Sequence, residues 1–294
     1  MVLVVGADGS VGRALAADFE QAGHAVRRTT RRKECLEPKA VLLDLADPAF
    51  EDRLHSFSGL DTAILCAAVT SMEVCLKEPL KSWRVNVEHT VALARRLVDS
   101  GVFTIFLSSN AVFDGRIAFS KASDQPCPQT EYGRQKAEAE RRLLNLGKSV
   151  AVVRFSKIVS PRMPLFLDWA SDLRAGRAIQ AFADSLVSPV SVAFAVEVLH
   201  QVARRRIAGI TQVSARDELS YSDAAAYMAG RIGADPALVK PVGSGPGGKV
   251  KAPRHSTLDT STLMALDLQS PSSTEALDQL DLGSALDENR PGMS

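Results

Sequence analysis

Short apolar runs alternate with helix-period segments through the first half of this chain, and that rhythm restricts the fold more than any other feature. Val2-Leu3-Val4-Val5 is a continuous apolar run closed by Gly6, the pattern of a strand buried on both faces. Residues 11–22 follow with helical spacing, and Gly23 stops them. The pattern then repeats. Strands are expected at 25–29, 40–44, 61–66, 102–107 and 149–154, with a long helix over 80–100, another over 131–146, and Pro48 near the start of a third. Such alternation predicts α/β architecture: a doubly wound parallel sheet with helices on both faces.

The rhythm changes after Arg154. Pro161, Pro164 and Pro189 punctuate shorter elements. Helices are expected over 165–175, 192–204 and 221–232, and a strand over 209–214. Residues 242–253 read as a loop rich in Gly and Lys, and 274–294 as a polar tail with one weak helical stretch that frays. The expected division is 1–158 for the nucleotide-binding part, 159–270 mostly for a smaller part that sends segments back to the first, and 271–294 for the tail.

A chain of 294 residues can bury roughly 75% of its unfolded surface, enough for a substantial core. Its net charge of +1 gives no global field that would draw it to nucleic acid or an anionic membrane. No apolar stretch reaches the ~18 residues of a membrane span. The chain opens on a strand-like run without a basic leader, which argues against a signal peptide. Cys35, Cys66, Cys75 and Cys127 are scattered without metal or redox spacing, as in a reduced cytoplasmic protein. His24, His55, His89, His200 and His255 form no metal motif, so no metal site is expected.

Three places can carry chemistry. The first is Gly6-Ala7-Asp8-Gly9-Ser10-Val11-Gly12, between the first strand and the first helix. Glycines there let the backbone approach a pyrophosphate, which meets the N–H groups and positive end of the helix. The end of the second strand then selects the cofactor. An acid would bind the adenosine ribose, whereas arginine accommodates a 2′-phosphate. The chain offers Arg27, Arg28, Arg31 and Arg32 and no acid on that strand before Glu34. NADPH is therefore the expected cofactor, with Arg31 or Arg32 on its phosphate and NADH the alternative. Asp44 and Leu45 would border the adenine, although Asp44 also suits a helix cap. Cys66, Ala67 and Ala68 are small enough to let a cofactor lie against the backbone, or simply to pack tightly.

The second place is Ser108-Ser109-Asn110, at the carboxyl end of the fifth strand, where ligands of open α/β sheets bind. A serine there can hydrogen-bond a carbonyl as charge develops on it. The third is Tyr132-Gly133-Arg134-Gln135-Lys136. Tyr132 and Lys136 are four apart and share a helix face. An ammonium beside a phenol is expected to lower the phenol's pKa and ready it for proton transfer to a carbonyl oxygen.

The set Gly6, Gly9, Gly12, Ser109, Tyr132 and Lys136 resembles the extended short-chain dehydrogenase/reductase family. The segments Cys66-Ala-Ala-Val-Thr70, Trp83-Arg-Val-Asn86-Val, Ser108-Ser-Asn-Ala-Val-Phe-Asp-Gly115, Tyr132-Gly-Arg-Gln-Lys136 and Ser256-Thr-Leu-Asp259-Thr resemble its dTDP-4-dehydrorhamnose reductase branch, over roughly residues 1–270. The resemblance implies a Rossmann-type domain with a smaller C-terminal α/β substrate domain. It implies reduction of a 4-keto group on a nucleotide-linked deoxysugar. Tyr132 is then the proton donor, Lys136 tunes it and binds the nicotinamide ribose, and Ser109 polarises the carbonyl. Thr70, Ser109, Asn110, Ala111 and Arg254 would meet the substrate, with Arg162, Lys249 and Lys251 as further cations in the same part. A homodimer is compatible with this reading.

Several positions depart from that branch. Ala111 stands where a tyrosine is usual and Asn110 where an aspartate is usual. Val69 replaces a common aromatic, and Lys157 a common tryptophan. The implied chemistry is intact while the pocket lining differs. Two other readings stay open: an epimerase or dehydratase on the same scaffold, and a cofactor-binding regulatory subunit without turnover.

Overall fold

A computed structural model describes residues 1–35, 40–50, 59–244 and 253–283. Its centre is a seven-stranded sheet of β1 (Val2–Val5), β2 (Val26–Thr30), β3 (Ala40–Leu42), β4 (Thr62–Leu65), β5 (Phe103–Ser109), β6 (Val150–Phe155) and β11 (Gly209–Val213). The order across the sheet is β11-β6-β5-β4-β1-β2-β3, and every pairing is parallel. β1, β4 and β6 are buried along their whole length, which is why they read as unbroken apolar runs. The order reverses at β1, with β2 on one side and β4 on the other, and this opens a crevice at the strands' carboxyl ends.

Helices cover both faces. α1 (Ser10–Gln21) and α7 (Val192–Arg205) bury Leu15, Phe19, Leu199 and Val202 against one face. α4 (Thr90–Asp99) and α5 (Glu131–Leu144) bury Leu93, Leu97, Ala139 and Leu143 against the other. The helix expected over 80–100 is divided. α3 (Pro79–Trp83) leads into a π-helical stretch, Arg84–His89, before α4 begins. There the Thr90 hydroxyl donates to the Val85 carbonyl at 2.7 Å, five residues back. α2 (Met72–Lys77), capped by Ser71, went unforeseen. The expected helix after Pro48 falls largely in 51–58, outside the described residues.

The chain leaves the main sheet after β6 and returns to it as α7 and β11. Between and after these lie short strand pairs: β7 (Ile158–Val159) with β10 (Val190–Ser191), β8 (Ile179–Phe182) with β13 (Val239–Val242), and β9 (Leu186–Val187) with β12 (Leu219–Ser220). α6 (Pro164–Arg174) and α8 (Tyr221–Arg231) pack beside them around Phe166, Ala170 and Met228. The expected fraying does not extend to residues 273–282. α9 (Ser273–Asp278) is capped by Ser272, and Leu277, Leu280 and Leu282 join the cluster around Phe166. Among the described residues no helix is long and apolar enough to cross a membrane.

Candidate active site

The glycine-rich turn meets the crevice at β1. Gly6 has φ of +82°, and a Cβ there would lie 2.9 Å from Ala67 backbone atoms at the end of β4. Only glycine lets the two strand ends approach so closely. Gly6 N–H donates to Thr29 Oγ1 at 3.1 Å and Ala7 N–H to the Thr29 carbonyl at 3.0 Å, fixing the turn to β2. α1 begins at Ser10, and its N-cap residue Gly9 provides no side-chain cap. Among the described residues the first-turn N–H groups of Ser10, Val11 and Gly12 therefore have no capping oxygen, a donor set suited to a phosphate. By contrast, Thr130 caps α5, Ser191 caps α7 and Ser220 caps α8.

At the end of β2, Arg31 and Arg32 are exposed. Asp8 reaches across from the turn. Its Oδ2 accepts a short hydrogen bond from Thr30 Oγ1 and lies 3.4 Å from Arg32 Nε. Asp44 turns the chain after β3, its Oδ1 accepting from Ala46 N–H at 2.9 Å, so capping accounts for its observed contact. Leu45 is buried, and its carbonyl lies 2.7 Å from His89 Nδ1, tying this edge to the π-helical stretch.

Cys66, Ala67 and Ala68 are half-buried beyond β4, and Thr70 is exposed. Burial pushes the Cys66 thiol up to about 12, with the Lys136 charge acting weakly the other way. The segment is held by a residue absent from the expected site. Asn86 Oδ1 accepts from Val69 N–H at 2.8 Å, while Asn86 Nδ2 donates to the Val69 carbonyl at 2.9 Å and to Gln135 Oε1 at 2.8 Å. Gln135 Nε2 in turn donates to Ser82 Oγ at 2.8 Å and Glu131 Oε1 at 3.1 Å. Asn86 and Gln135 are fully buried. A buried amide inside an apolar helix pattern was the available sequence signal; its partners were not.

Ser109 ends β5 and opens a short turn, its Oγ accepting from Ala111 N–H at 3.2 Å and donating to Asn110 Oδ1 at 3.3 Å. Tyr132 and Lys136 project from α5. The helix starts tight against this turn: a Cβ on Gly133 would fall 2.1 Å from the Ala111 carbonyl oxygen. Tyr132 is thereby brought to Ser109. Burial raises the Tyr132 phenol to about 12, the nearby Cys75 thiol adds to the rise, and a hydrogen bond with Ser109 opposes it. Lys136 is buried; its Nζ donates a short hydrogen bond to the Leu107 carbonyl and sits 3.9 Å from the centre of the Phe106 ring. Burial lowers the Lys136 ammonium to about 7, while Glu140 and Cys66 pull it back up. The expected lowering of the tyrosine is thus reversed, because desolvation outweighs any influence of the ammonium. A phenol raised in this way keeps its proton at neutral pH.

Glu140 lies one turn beyond Lys136. Arg154 Nη2 donates to its Oε2 at 2.7 Å and Arg154 Nε to its Oε1 at 3.1 Å. Arg154 Nη1 also donates to Gln212 Oε1 at 3.2 Å, and Gln212 Nε2 to the carbonyls of Ser120 at 2.8 Å and Asp259 at 2.9 Å. This buried network joins α5, β6 and β11 to the loop after β5 and to the Ser256-Thr-Leu-Asp259 segment.

That segment is fixed at its other end by Glu218, whose Oε1 accepts from Ser256 N–H at 2.8 Å and Thr257 N–H at 2.9 Å, with His255 Nδ1 2.7 Å from Oε2. Burial pushes the Glu218 carboxyl up, but the bonds from His255, Thr257 and Ser256 together hold it below its ordinary value. His255 N–H donates to the Gly115 carbonyl at 2.9 Å, so the segment rests on the loop following β5. Arg254 is exposed there and makes no hydrogen bond to Ser109, Tyr132 or Lys136 among the described residues. Arg162 points elsewhere and lies 3.4 Å from Asp281. Lys157 Nζ sits 5.7 Å from the centre of the Tyr221 ring. Lys249 and Lys251 lie outside the described residues.

The structure resembles that of dTDP-4-dehydrorhamnose reductase from Bacillus anthracis in complex with NADP, with a TM-score of 0.83 over 95% of this chain and 96% of that one at 21% identity, a likeness of fold. In sequence the chain is 30% identical to dTDP-4-dehydrorhamnose reductase of Mycolicibacterium smegmatis, covering 83% of this chain and 72% of the relative. It is 26% identical to methionine adenosyltransferase 2 subunit beta of Pongo abelii, covering 91% of this chain and 82% of the relative. The model of the RmlD substrate binding domain matches residues 1–281. The chain belongs to the RmlD substrate binding domain family.

Proposed function

We propose that this chain is an NADPH-dependent reductase of a 4-keto-deoxysugar nucleotide. What supports the reading is the packing of the start of α5 on the turn after β5, with Gly133 against the Ala111 carbonyl, which sets the half-buried Tyr132 and, one helical turn on, the buried Lys136 beside Ser109 at the carboxyl end of β5. The uncapped N-terminus of α1 and the close turn at Gly6 fit a dinucleotide pyrophosphate. When bound, the nicotinamide supplies a hydride from its C4. Tyr132 gives its phenolic proton to the oxygen of the former carbonyl. Ser109 donates a hydrogen bond to that oxygen as charge grows on it. Lys136 stabilises the phenolate left behind and binds the nicotinamide ribose.

Substrate contacts are assigned to Thr70, Asn110 and Ala111 on the nucleotide-binding side and to Arg254 from a substrate part drawn mostly from 159–270. The small Ala111 side chain leaves sugar recognition to other groups. The expected homodimer and cytoplasmic location belong to the same proposal; light scattering tests the first.

A second reading is a cofactor-binding regulatory subunit, favoured by the similarity to a methionine adenosyltransferase subunit beta. NADPH oxidation with a panel of 4-keto-deoxysugar nucleotides separates the two. Turnover that disappears in Tyr132→Phe supports the reductase. Tight NADPH binding with no turnover on any ketone supports the regulatory subunit.

A further inference from the structure

We propose that Asp8 sets how strongly this chain discriminates between dinucleotides with and without a 2′-phosphate, and that it opposes the phosphate. The inference rests on the dinucleotide reading of the Gly6–Gly12 turn. It concerns a part of that site for which the β2 sequence alone gave the opposite signal. No acid stands on β2 before Glu34, yet folding delivers one to its end from the turn after β1.

The geometry is specific. β1 and β2 are parallel neighbours, so Asp8 and Thr30 both lie at the carboxyl edge of the sheet. Thr30 Oγ1 donates to Asp8 Oδ2, and Thr30 Oγ1 also accepts from Arg32 N–H at 3.0 Å. Arg32 Nε completes the cluster 3.4 Å from the same carboxylate oxygen. Both side-chain contacts of Asp8 therefore use Oδ2, and Oδ1 accepts no hydrogen bond among the described residues. The Asp8 side chain is 25% exposed and that of Arg32 46%, so both remain open to a ligand.

The chemistry follows from that placement. A carboxylate oxygen with a free lone pair at the end of β2 accepts a ribose 2′-hydroxyl. A 2′-phosphate in the same place brings like charge against it and competes with it for Arg32. Arg32 is thus partly neutralised before any ligand arrives, and Arg31 carries more of the attraction for phosphate. Asp8 thereby narrows the preference for the 2′-phosphate that the two arginines create.

The test is calorimetric titration of NADP⁺ and NAD⁺ into wild type, Asp8→Asn and Asp8→Ser, with melting curves to confirm folding. Both variants are expected to bind NADP⁺ about fivefold to tenfold more tightly and NAD⁺ no better than wild type. The gain should shrink as salt is raised. An unchanged ratio of the two dissociation constants would overturn the inference. So would weaker NADP⁺ binding, which would mean that Asp8 instead orients Arg32 toward the phosphate. Wild type binding neither dinucleotide would overturn the underlying cofactor reading as well, a separate outcome.

Discussion

Glu140 and Lys136 lie one turn apart on the buried side of α5, yet both oxygens of the Glu140 carboxylate are taken by Arg154. Among the described residues Lys136 keeps only a carbonyl and an aromatic face. Its ammonium is drawn down to about 7 from an ordinary 10.5, first by burial, despite the pull of Glu140.

A pH dependence of stability follows. Between pH 7 and 9 the unfolded chain holds the Lys136 proton and the folded chain progressively does not. The unfolded state binds more protons, so unfolding free energy rises with pH. The gain over that window is about 2 kcal/mol. Above pH 9 the raised Cys66 thiol and Tyr132 phenol work in the opposite direction, because the folded state then holds their protons longer. Urea unfolding at pH 7, 8 and 9 should show wild type gaining stability relative to Lys136→Met. Parallel profiles for the two proteins would contradict the burial of a titrating amine.

Arg154→Met leaves Glu140 charged and unpaired inside the protein and Gln212 short of a donor. Breaking one side of a buried ion pair costs about 3–5 kcal/mol. Denaturant unfolding should report a loss of that size. The double variant Arg154→Met, Glu140→Met should recover a good part of it, because no bare charge remains. Equal losses in single and double variants would mean that packing, not charge, dominates.

Asn86→Leu strips Val69 N–H of its partner, leaves the Val69 carbonyl with the Cys75 thiol alone, and leaves Gln135 Oε1 without the Asn86 donor. An unmet buried polar group costs about 1–3 kcal/mol. The expected result is lowered stability together with raised KM, since the loop between β4 and α2 borders the proposed pocket. Unchanged KM with intact stability would remove Asn86 from the account of the site.

These relationships mark where the sequence stopped being informative. The main strands were legible because parallel strands covered on both faces must be apolar throughout, as in β1, β4 and β6. The two-residue strands β7, β9, β10 and β12 are too short to carry a period. The π-helical stretch hid inside an apparently regular helix, since the contacts that accompany it, the Thr90 hydroxyl on the Val85 carbonyl and buried Asn86 on Gln135, leave no mark on the apolar period. Ser109, Tyr132 and Lys136 could be named from spacing and family likeness. The direction of the tyrosine shift could not, because spacing gives proximity of charge and says nothing of how dry the site is. Asp8 was assigned to the turn, but its meeting with Thr30 and Arg32 exists only once β1 and β2 are adjacent.

Tyr132→Phe removes the proposed proton donor and keeps the ring in its packing. Loss of a positioned general acid costs about 10²–10⁴ in rate. Turnover in the reductase assay should fall by that factor while the dissociation constant for NADPH changes little. Ser109→Ala should reduce kcat less severely. A Tyr132→Phe protein that keeps most of its activity would assign the proton to another group.

In the proposed reductase, Ser109, Tyr132 and Lys136 converge on the reacting end of a dinucleotide held by the Gly6–Gly12 turn. The most direct measurement is a crystal structure of the wild-type chain grown with NADP⁺. The expected result is the pyrophosphate over the N-terminus of α1, Lys136 Nζ bonded to the nicotinamide ribose, and Tyr132 Oη and Ser109 Oγ within roughly 4 Å of the space above nicotinamide C4. A dinucleotide bound elsewhere, or a phenol facing away from the nicotinamide, would contradict it.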